Sequence, residues 1–295
     1  MQFEFYKYQA CGNDFVLVDL RSPSSNWASQ ATDSRFWQNE TAMRLCCDRR
    51  FGIGADGILI LLPARSSTTD NLGVDSKAAF HLHYLNADGK EGSLCGNGSR
   101  CAAAHAFRKG YFEGNSGTFT ASDGVHQVVQ MVDGSIALGM QAPKDRRVLE
   151  LGTFINTGSP HLVVPVRDLV NYPVEREGRA LREHSLFLPG GTNVNFMEVI
   201  DLNHLKIRTY ERGVEAETLS CGTGAVACAI LHVQQNLADF MDTLAEINLQ
   251  FRGGPMTVSA HVDSTGSMQQ IQLIGPASCA FKGLWMGYTG KTYLW

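Results

Sequence analysis

Two short stretches of the chain carry the same residue types at the same spacing. One is Cys95-Gly96-Asn97-Gly98, running into Ser99-Arg100-Cys101-Ala102-Ala103-Ala104. The other is Cys221-Gly222-Thr223-Gly224, running into Ala225-Val226-Ala227-Cys228-Ala229-Ile230. Each sets a cysteine before a Gly-x-Gly turn and a run of helix formers. A thiol just ahead of a helix start faces free backbone N–H groups and the positive end of the helix dipole. That environment lowers a thiol pKa and seats a carboxylate. If both starts face one cleft, the N–H groups of Gly96, Asn97, Gly222 and Thr223 converge on a single carboxylate. A thiol on each side of the adjacent carbon then suits inversion of that stereocentre. One thiolate takes a proton from one face and the other thiol returns one to the opposite face. Model thiols titrate near pH ~8.5, so the pair is expected to work with one thiolate per site.

The bulk numbers restrict the alternatives. The chain has 295 residues, 44% of them hydrophobic and 18% charged, which suffices for a large core and favours two domains. A net charge of −4, without a basic stripe, gives no support for nucleic-acid binding. The opening Met1-Gln2-Phe3-Glu4-Phe5-Tyr6 reads as a strand and not as a signal peptide. No apolar run approaches the roughly 20 residues of a membrane span, so a cytoplasmic protein is expected. Eight cysteines in such a chain do not suggest a disulfide framework, and adjacent Cys46-Cys47 does not match zinc-ligand spacing, so no metal is expected. Cys46, Cys47, Cys101, Cys228 and Cys279 read as small buried hydrophobes.

The elements that must position the two thiols follow from pattern. Residues 3–20 are expected to form a strand from Phe3, a turn at Gly12-Asn13 and a second strand over 15–18, followed by a polar loop over 22–33 and a helix over 35–49. Gly52-Ile53-Gly54-Ala55-Asp56-Gly57 matches G-x-G-x-x-G but follows a helix and opens the strand Ile58-Leu59-Ile60-Leu61-Leu62. A dinucleotide site needs the reverse order, so the run is read as a tight turn lining a site and no cofactor is assigned. A polar loop over 63–79 precedes a strand over 80–85 that places His81 and His83 on one face, in a structural role. The Cys95 helix should stop at Gly110. Strands over 117–140, broken at Asp123-Gly124 and Asp133-Gly134, form a meander.

The second half repeats this plan. Gly158-Ser159-Pro160-His161-Leu162-Val163-Val164 parallels Gly12-Asn13-Asp14-Phe15-Val16-Leu17-Val18. Gly190 to Phe196 stands where Gly52 to Ile58 stood, and a strand over 205–210 leads to Glu211-Arg212-Gly213 as the strand over 80–85 led to Asn86. The second Cys-Gly-x-Gly follows, and then strands over 246–251, 256–262, 268–274 and 278–281. Two copies make a duplicated domain and not a solenoid. The expected division is 1–140 against 141–275, followed by a tail over 276–295.

Six motifs in order give the chain a resemblance to the diaminopimelate epimerase family over nearly its whole length. They are Gly12-Asn13-Asp14-Phe15; Gly52 to Asp56; Asn86-Ala87-Asp88-Gly89 with Cys95 to Gly98; Gly158 to His161; Asn193 to Phe196; and Tyr210-Glu211-Arg212-Gly213 with Glu217-Thr218 and Cys221 to Gly224. The resemblance implies an α/β (α+β) fold of two pseudo-symmetric halves, each a central helix wrapped by mostly antiparallel strands, with the active site in the cleft between them and the tail 276–295 returning to the first half. It implies a cofactor-independent epimerase acting on LL- and meso-diaminopimelate, a small-molecule substrate of lysine and peptidoglycan synthesis, and a homodimer. Cys95 and Cys221 would be the acid/base pair, with His161 and Glu211 adjusting their pKa values. Gly96, Asn97, Gly222 and Thr223 would bind the reacting carboxylate, and Asn13 and Glu211 the reacting amino group. Asn86, Asn193 and Arg212 would hold the distal end, where a guanidinium suits a second carboxylate. Ser159 stands where many members have Asn, and Gly57 where some have Gln, so substrate contacts differ there. The aromatic tail (Trp285, Tyr288, Tyr293, Trp295) is read as packing or an oligomer contact. Rival readings are a racemase of another amino acid, a phenazine-type isomerase of the same fold that lacks the thiol pair, and a non-catalytic binding protein.

Overall fold

The computed structural model describes residues 2–21, 37–64, 78–92 and 94–287. The polar loop over 22–33, residues 65–77 of the second loop, and Tyr288, Tyr293 and Trp295 of the tail lie outside the described residues.

Alternating or continuous apolar runs set the strands of the first half: β1 (Phe3–Ala10), β2 (Asn13–Asp19), β3 (Gly57–Pro63), β4 (Phe80–Asn86), β5 (Ser116–Ala121), β6 (Gly124–Gln130) and β7 (Ile136–Gly139). Helices α1 (Glu40–Cys47) and α2 (Gly96–Arg108) are set among them. The second half holds β8 (Asp145–Leu149), β9 (Gly152–Asn156), β10 (Pro160–Pro165), α3 (Val174–Arg182), β11 (Asn193–Val199), β12 (His204–Glu211), β13 (Ala216–Thr218), α4 (Gly222–Gln235), the short α5 (Leu237–Phe240), β14 (Thr243–Phe251), β15 (Gly254–Val262) and β16 (Met268–Gly275). β17 (Ser278–Trp285) follows and lies antiparallel on β1.

Strand pairing makes the duplication explicit. In the first half β1 and β2 form a hairpin, β2 runs parallel to β3, β3 antiparallel to β4, and β4 parallel to β5. In the second half β9, β10, β11, β12 and β14 repeat those relations in the same order. The meander β5–β6–β7 matches β14–β15–β16. The two meanders join through β7 and β16, with Leu138 opposite Leu273.

Each half wraps one buried helix. Cys101, Ala102, Ala103 and Ala106 of α2 pack against Tyr8, Phe15, Leu17, Leu59, Phe80 and Phe119. In α4 the whole run from Ala225 to Leu231 is buried against strands of the second half. Small side chains permit this, because alanine lets strands approach the helix backbone from every side. The outer sheet faces are covered by α1 against Val16, Val18, Ile58 and Ile60, and by α3 against Val194, Phe196 and Tyr210.

Three local expectations need correction. Of the helix expected over 35–49, residues 35 and 36 lie outside the described residues, and the described part is broken at Asn39, whose side chain caps the start of α1 at Glu40, while the Asp48 carboxylate accepts from the N–H groups of Arg50 and Phe51 and turns the chain after Cys47. The strand expected over 278–281 continues to Trp285, because β1 offers it a full antiparallel partner. Cys279 is only half-buried and not a core residue, since β17 covers β1 from the edge of the sheet.

Candidate active site

The two cysteine-bearing helix starts meet. A Cβ at Gly222 would lie 3.5 Å from the Gly96 Cα and 3.9 Å from the Asn97 nitrogen, so the halves meet at their glycines, with the Leu273 side chain packed against both. Cys95 and Cys221 are the residues immediately before α2 and α4, both in extended backbone, and both thiols are free. Cys95 Sγ accepts the Gly98 N–H at 3.5 Å, which satisfies one of the orphan donors of the helix start. Cys221 makes no such cap; its Sγ lies 3.7 Å from the Thr223 hydroxyl. The two positions are thus equivalent in fold and unequal in partners.

A directional chain of hydrogen bonds backs Cys221. The Thr209 hydroxyl donates to Asn195 Oδ1 at 3.0 Å, and Asn195 Nδ2 donates to His161 Nδ1 at 3.0 Å. His161 Nδ1 is therefore an acceptor, and Nε2 carries the proton that it donates to Thr223 Oγ1 at 2.8 Å. Thr223 is left to aim its own proton at Cys221 Sγ. Parallel strands set the spacing, since His161 of β10 lies beside Asn193 of β11, two positions before Asn195. Thr157 holds the same turn by donating to the Thr223 carbonyl at 2.8 Å.

On the other side, Asn13 Nδ2 points at Cys95 Sγ from 3.8 Å, while its buried Oδ1 has no hydrogen-bond partner among the described residues. Glu211, at the end of β12, interacts with Thr218 and Cys221. At the far end Asn193 Nδ2 donates to Ser159 Oγ at 3.2 Å and to the Pro160 carbonyl, and its Oδ1 accepts the Arg212 N–H at 2.9 Å. The Arg212 guanidinium touches only the Gly190 carbonyl, at 3.2 Å, among the described residues. Asn86 closes β4 and accepts the Gly89 N–H on its carbonyl. Gly57 leaves room for the Tyr84 ring, which lies 2.7 Å from where a Cβ at position 57 would stand.

Comparison with known proteins agrees with this architecture. The model of the diaminopimelate epimerase family matches residues 5–143 and 153–278. The diaminopimelate epimerase of Flavobacterium psychrophilum is 36% identical over 95% of this chain and 98% of its own length. That of Aquifex aeolicus is 35% identical over 95% and 96%. The chain belongs to the diaminopimelate epimerase family. Solved structures extend the likeness in fold alone. A phenazine biosynthesis protein from Bacillus anthracis superposes with a TM-score of 0.71 at 17% identity, over 97% of this chain and 99% of its own. A hydroxyproline epimerase from Agrobacterium vitis superposes with a TM-score of 0.61 at 18% identity, over 96% and 92%.

In this member of the diaminopimelate epimerase family, burial overrides the helix dipoles. Desolvation pushes Cys95 up to about 11 against the pull of the Gly98 and Asn97 N–H groups, and the nearby Glu211 raises it further. Cys221 is raised well above the ordinary thiol value, by burial first and Glu211 next. The lowered thiol pKa expected from the helix starts is therefore not found. Burial brings His161 down to about 3, so the imidazole is neutral, in keeping with the tautomer its partners impose. Glu211 is raised, again by burial.

These shifts have a consequence for stability. Cys46, Cys47, Cys101 and Cys228 are raised by burial in the same direction. A group raised in the fold stabilises fully below its unfolded pKa and loses that contribution as pH rises towards its folded one. Unfolding free energy from urea titrations is thus expected to fall steeply above pH ~9, each buried thiol contributing up to about 1.4 kcal/mol per pH unit. A flat profile between pH ~9 and ~11 would contradict the burial argument.

No group of three His, Cys, Asp or Glu suited to a metal occurs among the described residues. Nor does any helix among them have the length and apolarity to cross a membrane. Sequence reasoning did not single out Thr157, Asn195, Tyr84, Arg100 or Ser220. Asn195 carried a usable signal, two positions from Asn193 on one strand face. Ser220 and Arg100 carried another, each within five residues of Cys221 or Cys95.

Proposed function

We propose that the protein interconverts LL- and meso-diaminopimelate by proton transfer between Cys95 and Cys221 across the α-carbon, with no cofactor. The observation that carries this reading is the meeting of two helix starts, each preceded by a free cysteine, at Gly96 and Gly222. The reacting carboxylate sits on the N–H groups of Gly96, Asn97, Gly222 and Thr223. The ammonium is held by Asn13 Oδ1, which has no hydrogen-bond partner among the described residues, and by Glu211. Asn86, Asn193, Ser159 and Arg212 hold the distal amino-acid head, with the Arg212 guanidinium on its carboxylate.

The α-proton passes to whichever sulfur is ionised while the opposite thiol donates its own proton. The α-carbon is inverted, and the pair is left with its protonation exchanged and ready for the reverse reaction. Substrate entry supplies what the raised thiols lack: a bound ammonium beside the sulfurs favours one thiolate, and the Thr223 proton completes its hydrogen bonding at Cys221. His161 acts on Cys221 through Thr223 and Glu211 acts directly, so both set the pKa values of the pair. We place the enzyme in the cytoplasm as a homodimer, in lysine and peptidoglycan synthesis. Its halves span 1–140 and 141–275, with 276–295 completing the first.

Incubation of LL-diaminopimelate with the enzyme in heavy water under reducing conditions tests the assignment. Deuterium should enter at the α-carbon as the meso isomer accumulates. Absence of exchange there, with exchange into proline, hydroxyproline or another amino acid, would assign the same chemistry to a different substrate.

A further inference from the structure

The least expected side chain in the molecule is Arg100. It lies one turn into α2, is fully buried, and forms no ion pair among the described residues. Its Nε and Nη1 have no hydrogen-bond partner there. The groups facing it are the thiols of Cys11, Cys95 and Cys101, with no carboxylate among them. A buried cation without a counter-charge is costly, and an apolar side chain of similar volume would stabilise the fold better.

What the guanidinium does touch lies at the junction of the halves. Nη2 donates to Asn97 Oδ1 at 2.7 Å and reaches Cys11 Sγ at 3.8 Å. Asn97 Nδ2 then donates to the Ser220 hydroxyl at 3.1 Å, and Ser220 donates to the Cys11 carbonyl at 2.9 Å. Asn97 belongs to the first helix start, and Ser220 is the residue before Cys221. Gly275, at the end of β16, admits the guanidinium so closely that a Cβ there would lie 3.2 Å from Nε and 3.3 Å from Cζ.

We propose that Arg100 is a positioning residue of this site: it clasps the Asn97 side chain, which bridges to Ser220 of the other half, and it sets a permanent positive charge behind the helix start that carries Cys95. Through the clasp, the Asn97 and Gly222 N–H groups keep a common aim. Through its charge, Arg100 favours an anion at the helix start, whether thiolate or substrate carboxylate. The charges that bear on Cys95 are then Arg100, which favours the thiolate, and Glu211, which opposes it; Cys221 and the Tyr84 phenol lie near enough for a Cys95 thiolate to hold both in their neutral forms. The proposal rests on the two-cysteine reading for its effect on substrate, but its effect on the free thiol needs no substrate.

The test uses the full chain with Arg100→Met, Arg100→Lys and Ser220→Ala. The readouts are the iodoacetamide alkylation rate of Cys95 at a fixed pH near 9, followed by peptide mass spectrometry, and KM and kcat for epimerisation. Arg100→Met should slow alkylation about tenfold, the equivalent of one pKa unit, and raise KM at least about tenfold. Arg100→Lys should keep alkylation within about twofold of the parent, because the charge remains. Ser220→Ala should leave alkylation unchanged and raise KM about fivefold, because only the clasp is cut. A folded Arg100→Met with parental alkylation and KM overturns the proposal. If Arg100→Met does not fold, the other two decide: slowed alkylation in Arg100→Lys overturns the charge role, and a parental KM in Ser220→Ala overturns the clasp. If the parent enzyme does not turn over diaminopimelate, the alkylation rates still decide the charge role, so that failure is separable from this one.

Discussion

Replacing either Cys95 or Cys221 by alanine is expected to lower epimerisation by about 10³-fold or more, with the fold intact. General acid–base groups contribute about 10²- to 10⁴-fold each, and the proposed two-cysteine scheme needs one on each face of the carbon. Neither loss can be covered by a neighbour. The other thiols close to the pair, Cys11 and Cys101, are buried behind the helix start and raised by desolvation. Structural damage should be small, since neither thiol makes a disulfide and Cys95→Ala gives up only the cap on the Gly98 N–H, about 0.5–2 kcal/mol. The measurement is deuterium entry and stereochemical inversion for each variant, beside a melting curve. Substantial inversion by either variant would remove the two-base scheme. The two variants should also differ in detail, because Cys95 is capped by the Gly98 N–H and Cys221 is backed by Thr223 and His161.

Gly224→Ala should cost activity at least about tenfold and about 1–3 kcal/mol of stability, although alanine is the better helix former. A Cβ at Gly224 would stand 2.3 Å from Asn195 Oδ1 and 3.2 Å from its Cγ. Asn195 cannot step aside cheaply. It is fully buried, takes the Thr209 proton, and gives its own to His161. Displacing it breaks the chain that ends at Thr223 and Cys221, so the loss should fall on kcat and on the reactivity of Cys221, with that of Cys95 little changed. Separate alkylation rates for the two cysteines, with urea unfolding for stability, test this. Equal slowing at both thiols would mean that the substitution disturbs the helix start as a whole and not the relay behind Cys221.

Much of the site could be read from local pattern. The two Cys-Gly-x-Gly turns were legible because a helix start is defined by a few consecutive residues, and the repeat of motifs in order disclosed the duplication. The parallel pairs β2–β3 and β10–β11 bear out the correspondence drawn between Gly12 to Val18 and Gly158 to Val164. The family and its fold followed from the same motifs and agree with the comparisons. Other features were out of local reach. The end of α1 depends on an Asn39 cap and an Asp48 turn that periodicity does not register. The exposure of Cys279 depends on which strand edge β17 covers.

By itself the sequence determined which groups are present and which backbone conformation surrounds each. Cysteine before glycine opens a helix, small residues permit that helix to be buried, and the doubled plan brings two such helices into one molecule. Those are short-range matters of propensity, capping and period. Only the tertiary structure decided how charge behaves there. The helix dipole argues for an easily ionised thiol, but the walls that close over Cys95 and Cys221 come from residues far away in sequence, and their desolvation outweighs the dipole. The same holds for Arg100, whose place five residues after Cys95 says nothing of its lack of a carboxylate partner. Burial and pairing are set by what the whole chain folds around a group, so a sequence names the reactive atoms while the packed structure sets their protonation.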